Sequence, residues 1–151
     1  RDRETGEALR RLHEQVMEGT YGAGDSLERL IWLWGRPLER ERGREEVEAA
    51  CAFLERHYEE PIGLERLCRL VGLSKSTLLR AFARAKGVTP YCYLLNIRVA
   101  AARRLLEQGV PPVEAALRTG FSDQSHFTHS FSRFTGLSPG TYRDIFKGIY
   151  F

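Results

Sequence analysis

Apolar side chains recur every three to four positions along most of this sequence, in short runs cut by glycine and proline. That is the pattern of successive amphipathic helices. Leu9, Leu12 and Val16 mark a first helix from Glu7 to about Glu18, broken by Gly19, Gly22 and Gly24. Asp25 and Ser26 suit the cap of a second, whose apolar face is Leu27, Leu30, Ile31 and Trp34, and Gly35 and Pro37 end it. Two such narrow stripes are too little for an independent core. Residues 1–35 are therefore expected to form a helical hairpin that packs on something else, or a dimerisation or docking element. Residues 36–46 (RPLERERGREE) are charged and aperiodic, and are the expected linker.

The pattern sharpens from Val47. Val47, Ala50, Cys51, Leu54 and Tyr58 make one apolar face, closed by Pro61. A short helix is predicted over Leu64–Val71, stopping at Gly72. Ser74 caps the next, which runs through Ala85 with Leu78, Phe82 and Ala85 inward and ends at Gly87. Thr89 and Pro90 open a long helix to about Gln108, with Leu94, Ile97, Ala101 and Leu105 as its buried side and Gly109 as its stop. Pro111 and Pro112 open another short helix to Thr119. The stretch GFSDQSHFTHSFSRFTGLSPGTYR follows from Gly120 to Arg143. No segment alternates with period two for long enough to be a strand, so the fold class is all-α.

An internal repeat organises these helices. Cys68, Gly72, Leu73 and Ser74 match Ala116, Gly120, Phe121 and Ser122 at an offset of 48. Phe82, Gly87, Thr89, Pro90 and Tyr93 match Phe131, Gly136, Ser138, Pro139 and Tyr142 at 49. The second copy thus carries one extra residue, expected early in its second helix. Each copy has helix-turn-helix mechanics: a small residue lets two helices approach, and a glycine takes the turn. Leu78 and Phe82, or Phe127 and Phe131, pin the second helix to the core. Phe121 and Phe134 are expected in the core as well. The outer face of the second helix is left for a DNA groove. In the first copy that face is Lys75, Ser76, Thr77, Leu79, Arg80 and Arg84; in the second it is Asp123, Gln124, Ser125, His126, Thr128, His129 and Arg133. Ser74 and Ser122 are the expected N-caps, which can also meet phosphate through the helix terminus. The connecting helix, at about 20 residues and roughly 30 Å, is close to the roughly 34 Å turn of B-DNA.

Charge supports a polyanionic partner. The net charge is +3 overall, yet residues 1–60 sum to −5 and residues 61–143 to +8. Cys51, Cys68 and Cys92 fit neither a disulfide framework nor a zinc pattern, which is expected of a reducing cytoplasm. No apolar run reaches the roughly 20 residues of a membrane span. No carboxylate pair, nucleophile-base set, phosphate loop or metal cluster stands at usable spacing, so neither an enzyme nor a cofactor is expected. The chain opens on Arg1 with no secretory leader and is expected to be a piece of a longer protein.

The segment Gly120–Arg143 resembles the C-terminal signature of the AraC/XylS family of bacterial transcription regulators, G-F-x-x-x-S-x-F-x-x-x-F-x-x-x-x-G-x-S/T-P-x-x-Y-R, and the resemblance covers about residues 46–145. It implies seven helices with two helix-turn-helix units, at about 63–87 and 111–136, joined by a long helix within a DNA-binding domain at 47–146. It implies double-stranded DNA as partner, with the two recognition helices in successive major grooves. It also implies transcription activation through RNA polymerase. The family's base-reading positions fall on Ser76, Leu79 and Arg80, then on Ser125, His126 and His129. Arg98 matches a family arginine and is expected to form a structural ion pair. Residues 1–35 resemble the helical tail after the family's sensor barrel, which implies a homodimer contact there. Two departures stand out. His129 replaces the more usual arginine, which makes the second unit weaker or pH-sensitive. Leu79 can only meet a thymine methyl or fill space, which leaves base recognition in the first unit to Arg80. The competing reading of the same helices is a protein-interaction module with no nucleic acid role, whose binding would depend little on salt.

Overall fold

The computed structural model of the protein describes residues 43–150. Seven α-helices follow one another there, with no strand among the described residues: α1 Arg44–His57, α2 Leu64–Val71, α3 Lys75–Lys86, α4 Pro90–Glu107, α5 Pro112–Arg118, α6 Gln124–Thr135 and α7 Pro139–Tyr150. The hairpin expected over 1–35, and residues 36–42 of the expected linker, lie outside the described residues. The last residues assigned to that linker are helical. α1 starts at Arg44, where Glu45 and Glu46 in its first turn complement the helix dipole.

The helices form two compact units. In the first, made of residues 43–53 and Gly63–Tyr93, the core consists of Val47, Ala50, Cys51, Leu67, Leu78, Leu79 and Phe82, all buried. Phe82 meets Tyr93 edge to face, with centroids 5.5 Å apart. The second unit takes Leu54–Ile62 and the chain from Leu94 onward. Its core includes Leu54, Leu94, Leu95, Val99, Ala102, Leu106, Ala115, Ala116 and an aromatic file. In that file Phe121, Phe127, Phe131, Tyr142 and Phe146 follow one another at 5.0, 5.6, 5.3 and 5.0 Å.

The repeat is realised in geometry as well as in sequence. Phe131 meets Tyr142 edge to face at 5.3 Å, as Phe82 meets Tyr93. Thr89 Oγ1 accepts from the Cys92 N–H at 3.2 Å, and Ser138 Oγ from the Thr141 N–H at 3.1 Å, so each unit opens its following helix with a hydroxyl cap and a buried proline. In the second unit Tyr142 also joins α7 to α4. Its hydroxyl accepts from Arg103 Nε at 3.0 Å and donates to Glu107 Oε1 at 2.6 Å. Burial, with that carboxylate beside it, raises the phenol above its ordinary pKa.

Three core expectations need correcting. The buried side of α4 is Leu94, Leu95, Arg98, Val99, Ala102 and Leu106, with Ile97, Ala101 and Leu105 only half-buried. The stripe is turned by about one residue because a buried arginine lies in its middle. Ala85 is exposed rather than inward. Phe134, expected in the core, is 46% exposed, since Phe127 and Phe131 already occupy the inward positions of α6. Cys51 is buried, whereas Cys68 and Cys92 are only partly so. No helix among the described residues is long and apolar enough to cross a membrane.

Candidate nucleic-acid interface

Both turns are built on one hydrogen-bond scheme. Gly72 and Gly120 adopt left-handed backbone, with φ of 69° and 79°. The residue after each glycine donates its N–H back to the small residue of the preceding helix, Leu73 to Cys68 O at 3.2 Å and Phe121 to Ala116 O at 3.1 Å. This is the Schellman closure of a helix end. The glycines nevertheless differ in what surrounds them. A Cβ on Gly72 would meet nothing within 4 Å, whereas one on Gly120 would lie 2.6 Å from Glu59 O and 2.7 Å from Tyr58 O.

The reading helices start differently. Ser74 caps α3 and accepts from the Thr77 N–H at 3.3 Å, while its hydroxyl also meets those of Ser76 (3.3 Å) and Thr77 (2.8 Å). The cap of α6 is Asp123, not Ser122. Its Oδ1 accepts from the His126 N–H at 2.7 Å, and Ser122 stands one residue earlier, its hydroxyl 3.3 Å from Asp123 Oδ2. The extra residue of the second copy therefore lies in the turn and not early in the helix. From cap through helix to the following proline the offset is a constant 49. Structurally Lys75 corresponds to Gln124, Ser76 to Ser125, Thr77 to His126, Arg80 to His129 and Arg84 to Arg133.

Along α3, Lys75 and Arg84 are exposed and Ser76, Thr77 and Arg80 are half-buried, so these five and the cap Ser74 share an accessible surface. Leu79 does not belong to it. At 4% exposure it is part of the core, filling space beside Leu78. The cations of this unit are partly countered from within. Lys75 is paired with Glu65 of α2, and Lys86 Nζ lies 2.9 Å from Glu48 of α1. On α6, Gln124, Ser125, His129 and Arg133 are exposed, as is Ser122 before them, and Thr128 is half-buried. His126 is also half-buried, its ring edge to face with Phe121 at 5.4 Å. Burial pushes its pKa down, against the opposing pull of Asp123, with Arg98 and His129 adding to the depression. Asp123 is held below the usual carboxylate range first by the His126 N–H, so the second reading helix begins on an ionised carboxylate.

Arg98 is structural. It is 6% exposed, and its Nε and Nη2 each donate at 2.8 Å, to Tyr58 O and Glu60 O just beyond α1. Both of these acceptors are main-chain carbonyls. No group of three or more metal-binding side chains gathers among the described residues. The cap role of Asp123, the wall facing Gly120 and the acceptors of Arg98 all escaped sequence reasoning. The nearest signal was the change of offset from 48 to 49, which left two cap-forming residues, Ser122 and Asp123, to choose between.

A helix-turn-helix domain family model of the AraC type matches residues 67–145. The chain is 54% identical over 82 residues to YbfI of Bacillus subtilis strain 168, an HTH-type transcriptional regulator, covering 54% of this chain and 30% of that protein. It is 38% identical over 98 residues to RhaS of Escherichia coli O139:H28, an HTH-type transcriptional activator, covering 64% of this chain and 34% of that protein. The chain thus spans about a third of the length of these curated relatives. Among solved structures it is similar to the DNA-binding domain of AdpA in complex with a target DNA, with a TM-score of 0.66 and 29% identity over 70% of this chain and 96% of that one. With the signature at 120–143, the paired turns and these matches in agreement, the chain belongs to the AraC/XylS family of helix-turn-helix transcription regulators.

Proposed function

We propose that this chain is the DNA-reading part of a sequence-specific transcription regulator, an activator, with α3 and α6 as recognition helices in successive major grooves. The duplication carries the reading: two helix-turn-helix units share a turn closure, a capped second helix and an aromatic brace, and each turns a polar row outward. Arg80 suits a guanine edge. Ser76, Gln124, Ser125 and His129 suit base edges within reach of a groove. Lys75, Thr77, Arg84 and Arg133 suit phosphates, as do Ser74 and Ser122 at the helix entrances. That the AdpA domain was solved on a target DNA supports the partner, and the name of RhaS as an activator supports the direction of regulation. RNA polymerase as a second partner, a homodimer contact through residues 1–35, and action in the cytoplasm complete the proposal.

Selection of bound sequences from a random duplex pool tests it. The expected result is a bipartite motif with half-sites about one turn of DNA apart, bound with an affinity that falls steeply with salt. Binding to no duplex, with a protein partner held equally at low and high salt, would instead establish the protein-interaction reading.

A further inference from the structure

The entrance to the second reading helix rests on a buried cation. Residues 58–60, just past α1, present three successive carbonyls. Arg98 takes the first and third at 2.8 Å each. Gly120 approaches the first and second so closely that a Cβ would lie 2.7 and 2.6 Å from them. The ring of Phe121 sits 5.8 Å from the Arg98 guanidinium carbon and 5.4 Å from the His126 ring. His126 lies in the first turn of α6, its N–H held by Asp123. These contacts run without a break from the chain end of α1, through the guanidinium and an aromatic ring, into the first turn of α6. In the first copy Leu73 stands at the place of Phe121, and Gly72 faces open space.

We infer that Arg98 is a positioning residue for the second reading helix. It fixes the direction in which α6 leaves its turn, and so the aim of Gln124, Ser125 and His129, without touching DNA itself. Two of its N–H donors point at carbonyls in the turn just past α1. A buried guanidinium deprived of those acceptors is costly, so the pair holds one geometry. The flat guanidinium also lies beside the Phe121 ring, a contact that Lys reproduces poorly.

The inference rests on reading α6 as a recognition helix, and the test separates the two. Duplexes selected by the wild-type chain are used with each half-site scrambled in turn. Arg98→Met is expected to lose about tenfold in discrimination at the half-site read by α6, the scale of one good base contact, while the other half-site stays within about twofold. Arg98→Lys is expected to fall between. Phe121→Leu installs the residue of the first copy and leaves both Arg98 hydrogen bonds in place; the same one-sided loss is expected, which keeps the test open should Arg98→Met fail to fold. Equal weakening at both half-sites, or an unchanged footprint with only a lower Tm, overturns the positioning role. Failure of the wild-type chain to select any duplex overturns the DNA-reading proposal and this inference with it.

Discussion

The two helix-turn-helix copies close their turns with the same hydrogen bond, yet the second is the more tightly built and the less positively charged. Around Gly72 there is room, a neutral serine caps α3, and Lys75, Arg80 and Arg84 line the outer face. Around Gly120 there is a carbonyl wall, an ionised aspartate caps α6, and Arg133 is the one fixed cation among the outward residues of the helix. A repeat thus preserves the backbone scheme that makes a helix pair while leaving packing and charge free to diverge. The outer face of the first copy carries more fixed positive charge, while that of the second is mostly Gln124, Ser125, Thr128 and His129.

The largest expected difference is at the turn glycines. Gly72→Ala carries only the strain of left-handed backbone, about 1–2 kcal/mol. Gly120→Ala adds overlap with two carbonyls and is expected to cost about 3–5 kcal/mol, strain plus overpacking. Urea unfolding midpoints would measure both, and equal losses would break the contrast. Next comes DNA recognition. Arg80→Ala is expected to weaken specific binding by about 1–3 kcal/mol and relax one base pair, with His129→Ala giving a smaller loss confined to the other half of the footprint. If Arg80→Ala lowered binding to specific and random duplex alike, Arg80 would be a phosphate contact.

Caps come third. Ser74→Ala is expected to cost about 1 kcal/mol, and Asp123→Ala is expected to lower stability more than Ser122→Ala, which removes no cap. A larger loss at Ser122 than at Asp123 would return the inserted residue to the helix. The smallest effect is that of pH. Because the folded His126 has a depressed pKa, its neutral form favours folding. That contribution is complete above the ordinary histidine value of about 6.5 and is lost as pH falls through the lower folded pKa. The depressed Asp123 works in the same direction further into acid, being fully stabilising above the ordinary carboxylate range and lost as pH falls through its folded pKa. Acid should therefore loosen the second unit, and His126→Gln should flatten the upper part of that slope. Thr77 and Ser74, at the matching places in the first unit, do not titrate. Hydrogen exchange resolved by segment would show whether α5 and α6 open before α2 and α3.

Much of this architecture is legible in the sequence because helix ends are chemically distinctive. The range Leu64–Val71 matches residue for residue, Gly72 and Gly120 take the left-handed turns, and Thr89 with Pro90 opens α4. What escapes is whatever depends on tertiary placement. Arg98 is expected to be structural, but spacing does not reveal that it sits in the buried stripe of α4 or that two carbonyls from a distant segment accept from it there. Leu79 occupies a family reading position and Phe134 a core-like spacing, and burial assigns each the opposite role. The single inserted residue cannot be located from spacing alone, because Ser122 and Asp123 are both competent caps.

Since the whole length difference between the copies is taken up between the turn glycine and the cap, the stretches Ser74–Pro90 and Asp123–Pro139 are equal in length, with matching cap, helix stop and following proline. They are natural graft boundaries. An exchange made at the caps transfers an outward row without disturbing helix phase. One made at the glycines would also exchange the turn, and with it the one-residue difference in turn length.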